Sequence, residues 1–155
     1  MKTWLLSVTR KPLGVLPILL GAWALLLARL DSLSLWIDEW FTVDIIRTPW
    51  VGFLPHIIAT ERRPPLHYAL LKLWAGFIGN GEFPLRVYST VLALLAIAVL
   101  YALGRYLGNH RVGFCAALML AGSPFVVLYG RMIRGYTQTM LLGILATWLF
   151  LRALT

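Results

Sequence analysis

Four stretches of the chain are apolar over nearly the length that a bilayer requires. A helix needs roughly 20 apolar residues to cross a hydrocarbon core of about 30 Å. The pattern therefore predicts four membrane-spanning helices, at about residues 13–30, 87–104, 112–128 and 136–152. The first stretch has basic residues before it, as a signal peptide does. No convincing small-x-small cleavage site precedes Asp31, so we interpret this stretch as an anchor.

A long polar segment, residues 31–86, separates the first two predicted spans and holds all six acidic residues. Apolar and aromatic residues recur in it at helical spacing, which predicts interfacial helices at about residues 36–47, 50–60 and 64–78. The last of these is too short for a span, and Lys72 near its middle would cost about 2.5–3.5 kcal/mol to insert. Because unstructured connections are usually short, we expect a folded cap on the outer leaflet.

Composition supports a membrane protein. Hydrophobic residues make up 60% of the chain and charged residues 13%, against about 45–50% and 25% in soluble domains. The predicted fold class is all-α integral membrane. The net charge of +8 favours anionic headgroups or phosphate-bearing ligands, and we expect no nucleic acid partner. Cys115 is the only cysteine, which excludes an intramolecular disulfide.

The basic residues also bear on orientation. With four spans and a cytoplasmic N-terminus, six of them fall on the inner side and eight on the outer side, against the usual positive-inside bias. Either the orientation is unusual or the outer arginines serve a ligand, and we favour the ligand. The outer group comprises Arg29, Arg47, Arg62, Arg63, Lys72, Arg86, Arg131 and Arg134.

Three clusters in the outer segments are candidates for catalysis or ligand binding. Asp38-Glu39 begins a predicted helix, where two carboxylates either cap the helix or provide a general base or metal ligand. The second cluster is Glu61-Arg62-Arg63, which precedes two prolines. Its arginines bind either anionic lipid headgroups or a ligand phosphate.

The third cluster is the turn at residues 129–136, which carries two arginines and two tyrosines. These side chains either anchor the turn at the interface or face the same phosphate. His67 and His110 lack partners at ligand spacing, so the sequence predicts no His/Cys metal site.

In order and spacing, these clusters resemble motifs of the GT-C membrane glycosyltransferases, in the dolichyl-phosphate-mannose-protein mannosyltransferase-like (PMT-type) branch that includes aminoarabinose transferases. That branch has an Asp-Glu pair after the first span, an acidic-x-His-Pro-Pro-Leu-Tyr-Tyr motif, a Gly-x-x-Glu-Phe…Arg stretch, and a Pro-Phe…Tyr…Glu-Ala-Arg-x-Tyr stretch. The matching segments here are residues 38–39, 61–68, 79–86 and 123–136. The likeness covers about residues 13–154.

The resemblance implies transfer of a sugar from a polyprenyl-phosphate carrier to an extracytoplasmic acceptor, in what we expect is a bacterial inner membrane. It implies that Asp38 activates the acceptor, with Glu39 beside it. It implies no definite cofactor, and a divalent metal remains an option. The resemblance assigns the carrier phosphate to Arg62, Arg63, Lys72 and Arg134, and substrate binding to Glu61, His67 and Tyr136.

Two departures keep alternatives open. Arg63 stands where the motif has histidine, and Met132 stands where it has an acidic residue. Family members also have more spans, so we expect this module to be incomplete alone. The chain is then an enzyme completed by a membrane partner or a second copy, a non-catalytic small subunit of a larger membrane complex, or a truncated product. All these readings depend on the carboxylates and the guanidinium groups meeting on one outer face.

Overall fold

The computed structural model describes residues 12–28, 30, 34–60 and 64–154, and regular structure within these ranges is entirely helical. A 3₁₀ turn, Pro12–Val15, leads into α1. The α-helices are α1 (Leu16–Leu27), α2 (Ile37–Arg47), α3 (Trp50–Thr60), α4 (Leu66–Ile78), α5 (Glu82–Leu107), α6 (His110–Ala121), α7 (Pro124–Tyr129) and α8 (Tyr136–Ala153).

Helix α5 forms the centre of the bundle. It packs most extensively against α6 and α8, and it also contacts α1 and α4. The close approach of α5 and α6 depends on two glycines, because a Cβ built on Gly104 would lie 2.7 Å from the Cα of Gly113. The bundle core is built from small and branched side chains of α1, α5, α6 and α7, namely Ile18, Ala22, Leu26, Ala93, Ile97, Ala117, Ala121 and Val126.

Helices α2, α3 and α4 fold into a cap with its own apolar interior. Side chains of α2 and α4 pack onto the first turns of α5 through Val43, Leu71 and Leu85. A second cluster joins α2, α3 and α4. The cap is therefore packed onto the start of the central helix, while its placement at the membrane interface stays a prediction.

The predicted third span, residues 112–128, is two helices in the structure. Helix α6 ends at Ala121, and α7 begins at Pro124 after Ser123. The Ser123 Oγ accepts a hydrogen bond from the backbone N–H of Val126 at 3.3 Å. A capping serine followed by proline starts a new helix, because proline has no N–H to continue the previous one.

Among the described residues, α5 is the one helix long and apolar enough to cross a bilayer. Its 26 residues correspond to about 39 Å. Half of its most apolar 18-residue stretch is buried inside the protein, as in the central helix of any bundle. Helices α1, α3, α4 and α6 are apolar but have 10–17 residues. The fold is thus all-helical as predicted, and the count of four spans stays a prediction.

Candidate active site

The turn before α8 contains the predicted site residue Arg134 and contacts three others, Asp38, Glu39 and His67. The backbone N–H of Ile133 donates to Oε1 of Glu39 at 2.8 Å. The guanidinium of Arg134 donates to the backbone carbonyl of Asp38 at 2.9 Å. A Cβ on Gly135 would lie 3.2 Å from Cγ of His67. Three consecutive residues of one turn therefore join the start of α2 to the start of α4.

Asp38 presents the most accessible carboxylate of this cluster. It lies in the first turn of α2, and its side chain is 61% exposed. One guanidinium nitrogen of Arg134 lies 3.8 Å from Oδ2 of Asp38, while Arg134 itself is buried. Arg134 also donates to Oγ1 of Thr42 at 3.1 Å. The arginine therefore holds the first turns of α2 from inside and leaves the Asp38 carboxylate open to a ligand.

Glu39 has a different environment from its neighbour. Its side chain is buried and lies 3.3 Å from the guanidinium of Arg86, which is buried too. The backbone N–H of Trp36 donates to the same carboxylate at 3.0 Å. The predicted catalytic pair is thus divided in the structure: Asp38 faces outward, and Glu39 makes internal contacts that organise the site.

Sequence reasoning did not select Arg86 as a site residue. Its guanidinium donates to the carbonyls of Leu30 at 3.1 Å and Ser34 at 3.2 Å, in addition to Glu39. Arg86 therefore ties the segment before α2 to the central helix. The available signal was a charged residue near the start of a long apolar helix, because a charge at membrane depth is costly and is usually paired.

His67 is buried in the first turn of α4. Its Nδ1 lies 3.2 Å from Oε1 of Gln138 on α8, and the hydroxyl of Tyr88 donates to the same oxygen at 3.0 Å. Sequence reasoning selected His67 and missed both partners. A glutamine in the first turn of an apolar helix was the available signal, because buried amides need hydrogen-bond partners.

Lys72, a predicted phosphate ligand, caps the opposite end of α2. Its ammonium donates to the carbonyls of Ile46 and Thr48, both at 2.6 Å, and lies 5.0 Å from the ring centroid of Trp50. Burial lowers the pKa of Lys72. The two carbonyls and the ring stabilise the ammonium form, so we expect the charge to persist. Because Asp38 and Ile46 are eight residues apart on one helix, about 12 Å separates Lys72 from the Asp38 end.

Tyr136, a predicted substrate-binding residue, lies at the start of α8. Its ring centroid is 4.4 Å from that of Tyr129. It also lines an open groove of about 500 Å³, whose other walls include Phe125 and Met140. Glu61, Arg62 and Arg63 lie outside the described residues. Within the described ranges, no three His, Cys, Asp or Glu side chains gather where a metal could bind.

These features define a class: an all-helical module with one bilayer-length helix and an exposed carboxylate beside a buried arginine. Comparison with protein families identifies the family within this class. The chain belongs to the dolichyl-phosphate-mannose-protein mannosyltransferase family, whose profile matches residues 62–155, more than half of its length. This confirms the resemblance stated from the motifs. Asp38 and Glu39 lie before the matched region. Comparisons with curated proteins and with solved structures found no significant match.

Proposed function

We propose that this chain is a glycosyltransferase module that transfers a sugar from a polyprenyl-phosphate carrier to an extracytoplasmic acceptor. It lies in a bacterial inner membrane with its N-terminus in the cytoplasm, and a membrane-protein partner or a second copy completes the carrier groove. Family membership supports the reaction class. The observation that carries the proposal is the Asp38 carboxylate, which is 61% exposed and adjoins the buried guanidinium of Arg134.

The reaction needs a base and a cation near the leaving phosphate. Asp38 takes the proton of the acceptor hydroxyl, and the acceptor oxygen forms a bond to the anomeric carbon. The bond from that carbon to the phosphate oxygen breaks, and its electron pair leaves on the carrier phosphate. Arg62 and Arg63 provide fixed positive charge for this phosphate. They precede His67 by only a few residues, and His67 packs against the turn that holds Asp38.

A second candidate function is that of a non-catalytic subunit in a larger membrane complex. The burial of Arg134 favours it, since this arginine is used to hold the backbone and side chains of α2. Met132 in place of the motif's acidic residue points the same way. On this alternative, the same contacts only stabilise the cap.

The test compares two acidic residues of α2. Native membranes containing the full chain and its partners are supplied with radiolabelled polyprenyl-phosphate mannose and polyprenyl-phosphate aminoarabinose, and release of polyprenyl phosphate is measured. Asp38→Asn removes the base, so we expect release to fall about 100-fold or more. Asp44→Asn is the matched control. Asp44 is half-exposed and lies on the same helix, but it pairs with His56 at 2.9 Å instead of with Arg134.

The outcomes separate the two functions. Loss of release in Asp38→Asn, with Asp44→Asn unchanged, supports the transferase. Normal release in Asp38→Asn would remove Asp38 from the mechanism. No release by the unmodified protein, together with recovery of a partner at fixed stoichiometry, would favour the subunit.

A further inference from the structure

Three arginines lie at the end of the helical bundle opposite the cap. Arg105 is in the last turn of α5, Arg111 is in the first turn of α6, and Arg152 is in the last turn of α8. We call these three side chains the basic end. Arg111 and Arg152 are exposed, and Arg105 is partly buried, so solvent or lipid reaches all three.

Packing between the helices brings these arginines to the same end. The stem of Arg105 crosses onto α6, since a Cβ built on Gly113 would lie 2.8 Å from its Cγ. Gly113 is two residues after Arg111. Helices α5 and α8 also meet here, because the hydroxyl of Tyr106 donates to the carbonyl of Leu151 at 3.4 Å. Each of these last two residues directly adjoins an arginine of the basic end in the sequence.

Among the described residues, the acidic side chains lie at the other end of the bundle. No Asp or Glu follows Glu82 in the sequence. Glu82 begins α5, whose 26 residues correspond to about 39 Å. The acidic residues of α2 belong to the cap, which packs on the first turns of α5. Exposed charges farther apart than about 8 Å are largely screened at physiological ionic strength, so these carboxylates do not neutralise the basic end.

Aromatic rings accompany two of the cations. The guanidinium of Arg105 lies 5.6 Å from the ring centroid of Tyr101, and that of Arg152 lies 5.8 Å from the ring centroid of Trp148. Tyr and Trp are enriched at the level of lipid headgroups. A guanidinium has five N–H donors and matches phosphate geometry, so contacts within the protein are compatible with a phosphate partner.

We infer that the basic end binds the phosphate of an anionic phospholipid headgroup, in the leaflet opposite the cap. The inference rests on the membrane placement in the proposed function and is independent of the sugar transfer. Clusters of basic residues at the end of a membrane-spanning helix attract anionic lipids. The three arginines are grouped at the end of α5, the one described helix of bilayer length, which favours a lipid over a soluble phosphate.

The experiment measures lipid selectivity. The full chain, with any copurified partner, is reconstituted into nanodiscs and also studied in detergent. Native mass spectrometry in detergent measures binding of phosphatidylglycerol and phosphatidylcholine, with and without inorganic phosphate. The variants are Arg111→Gln, Arg111→Lys and the triple change of Arg105, Arg111 and Arg152 to Gln. Arg47→Gln is the matched control, because Arg47 is exposed too but lies in the last turn of α2.

We expect the unmodified protein and Arg47→Gln to bind phosphatidylglycerol about 10-fold or more tightly than phosphatidylcholine. Arg111→Gln should weaken phosphatidylglycerol binding about fivefold, since one basic residue near an anionic surface contributes about 1 kcal/mol. The triple change should weaken it about 100-fold. Arg111→Lys keeps the charge and should stay within about twofold of the unmodified protein. If the triple variant does not fold, the exposed Arg111 decides the test.

Equal binding of the two lipids by the unmodified protein would overturn the inference. Retention of phosphatidylglycerol by Arg111→Gln, to the same extent as by Arg47→Gln, would do so too. Displacement of the lipid by inorganic phosphate would assign the surface to a soluble anion. Loss of a copurified protein from Arg111→Gln, with lipid binding unchanged, would assign it to that protein.

Failures of this inference and of the proposed function give different results. A chain that does not enter nanodiscs of either lipid would refute the membrane placement, and this inference with it. Selective binding of phosphatidylglycerol without release of polyprenyl phosphate would refute only the sugar transfer. Release of polyprenyl phosphate without lipid selectivity would refute only the headgroup site.

Discussion

The buried pair of Glu39 and Arg86 gives the sharpest stability prediction. The Glu39 carboxylate accepts from the backbone of Trp36 at 3.0 Å, from the backbone of Ile133 at 2.8 Å and from Arg86 at 3.3 Å. Glu39→Gln turns one of its oxygens into an amide group that faces an N–H donor. Whichever way the amide turns, at least one donor loses its acceptor and Arg86 loses its counter-charge.

The magnitude follows from burial. Removing one partner of a buried ion pair costs about 3–5 kcal/mol. We expect about 3 kcal/mol for Glu39→Gln, the lower end, because the glutamine keeps one acceptor oxygen and Arg86 keeps the carbonyls of Leu30 and Ser34. That corresponds to about two orders of magnitude in the unfolding equilibrium constant. Combining Glu39→Gln with Arg86→Met should cost less than the sum of the single changes by about 1 kcal/mol or more.

Equilibrium unfolding in mixed micelles, followed by tryptophan fluorescence, measures these free energies. Asp38→Asn is the matched control, since it makes the same chemical change one residue earlier on a side chain that is 61% exposed. We expect it to cost less than about 1 kcal/mol. The reasoning fails if Glu39→Gln and Asp38→Asn cost the same, or if the double change equals the sum of its parts.

Two further predictions concern helix packing. Gly104→Ala should destabilise the fold by about 1–3 kcal/mol, since its Cβ would lie 2.7 Å from the Cα of Gly113. The control Gly143→Ala should be neutral or stabilising, because nothing lies within 4 Å of a Cβ at that position. Equal unfolding midpoints for the two variants would contradict the close approach of α5 and α6. Lys72→Met should make the end of α2 more sensitive to proteolysis, because the carbonyls of Ile46 and Thr48 lose their donor. Lys72→Arg keeps a cationic donor and should keep the end of α2 resistant. Equal cleavage rates for the two variants would show that the cap does not depend on this cation.

Local sequence patterns predicted much of the helical organisation. The pattern of the cap predicted helices at about 36–47, 50–60 and 64–78, and the structure has Ile37–Arg47, Trp50–Thr60 and Leu66–Ile78. These boundaries were accessible because proline and apolar periodicity act within a few residues. The apolar composition of residues 112–128 predicts one continuous span and does not show the break at Ser123-Pro124, although that break is equally local.

The individual roles of the site residues were less accessible. Asp38 and Glu39 are adjacent and are both predicted catalytic residues, yet one is exposed and the other is buried against Arg86. Lys72 was grouped with the arginines by charge, but it contacts the far end of α2. Which charge pairs with which depends on how α2 and α4 pack onto α5, and residue type carries no information about that packing.

Apolar periodicity and motif order predict the helical class and the family, because both are properties of the chain along its length. The contacts of residues 133–135 with Glu39, Asp38 and His67 at one turn depend instead on how distant helices pack. Glu39 and Ile133 are separated by 94 residues. Such contacts form only when the helices bury their apolar faces together, so the local sequence around either residue does not specify them.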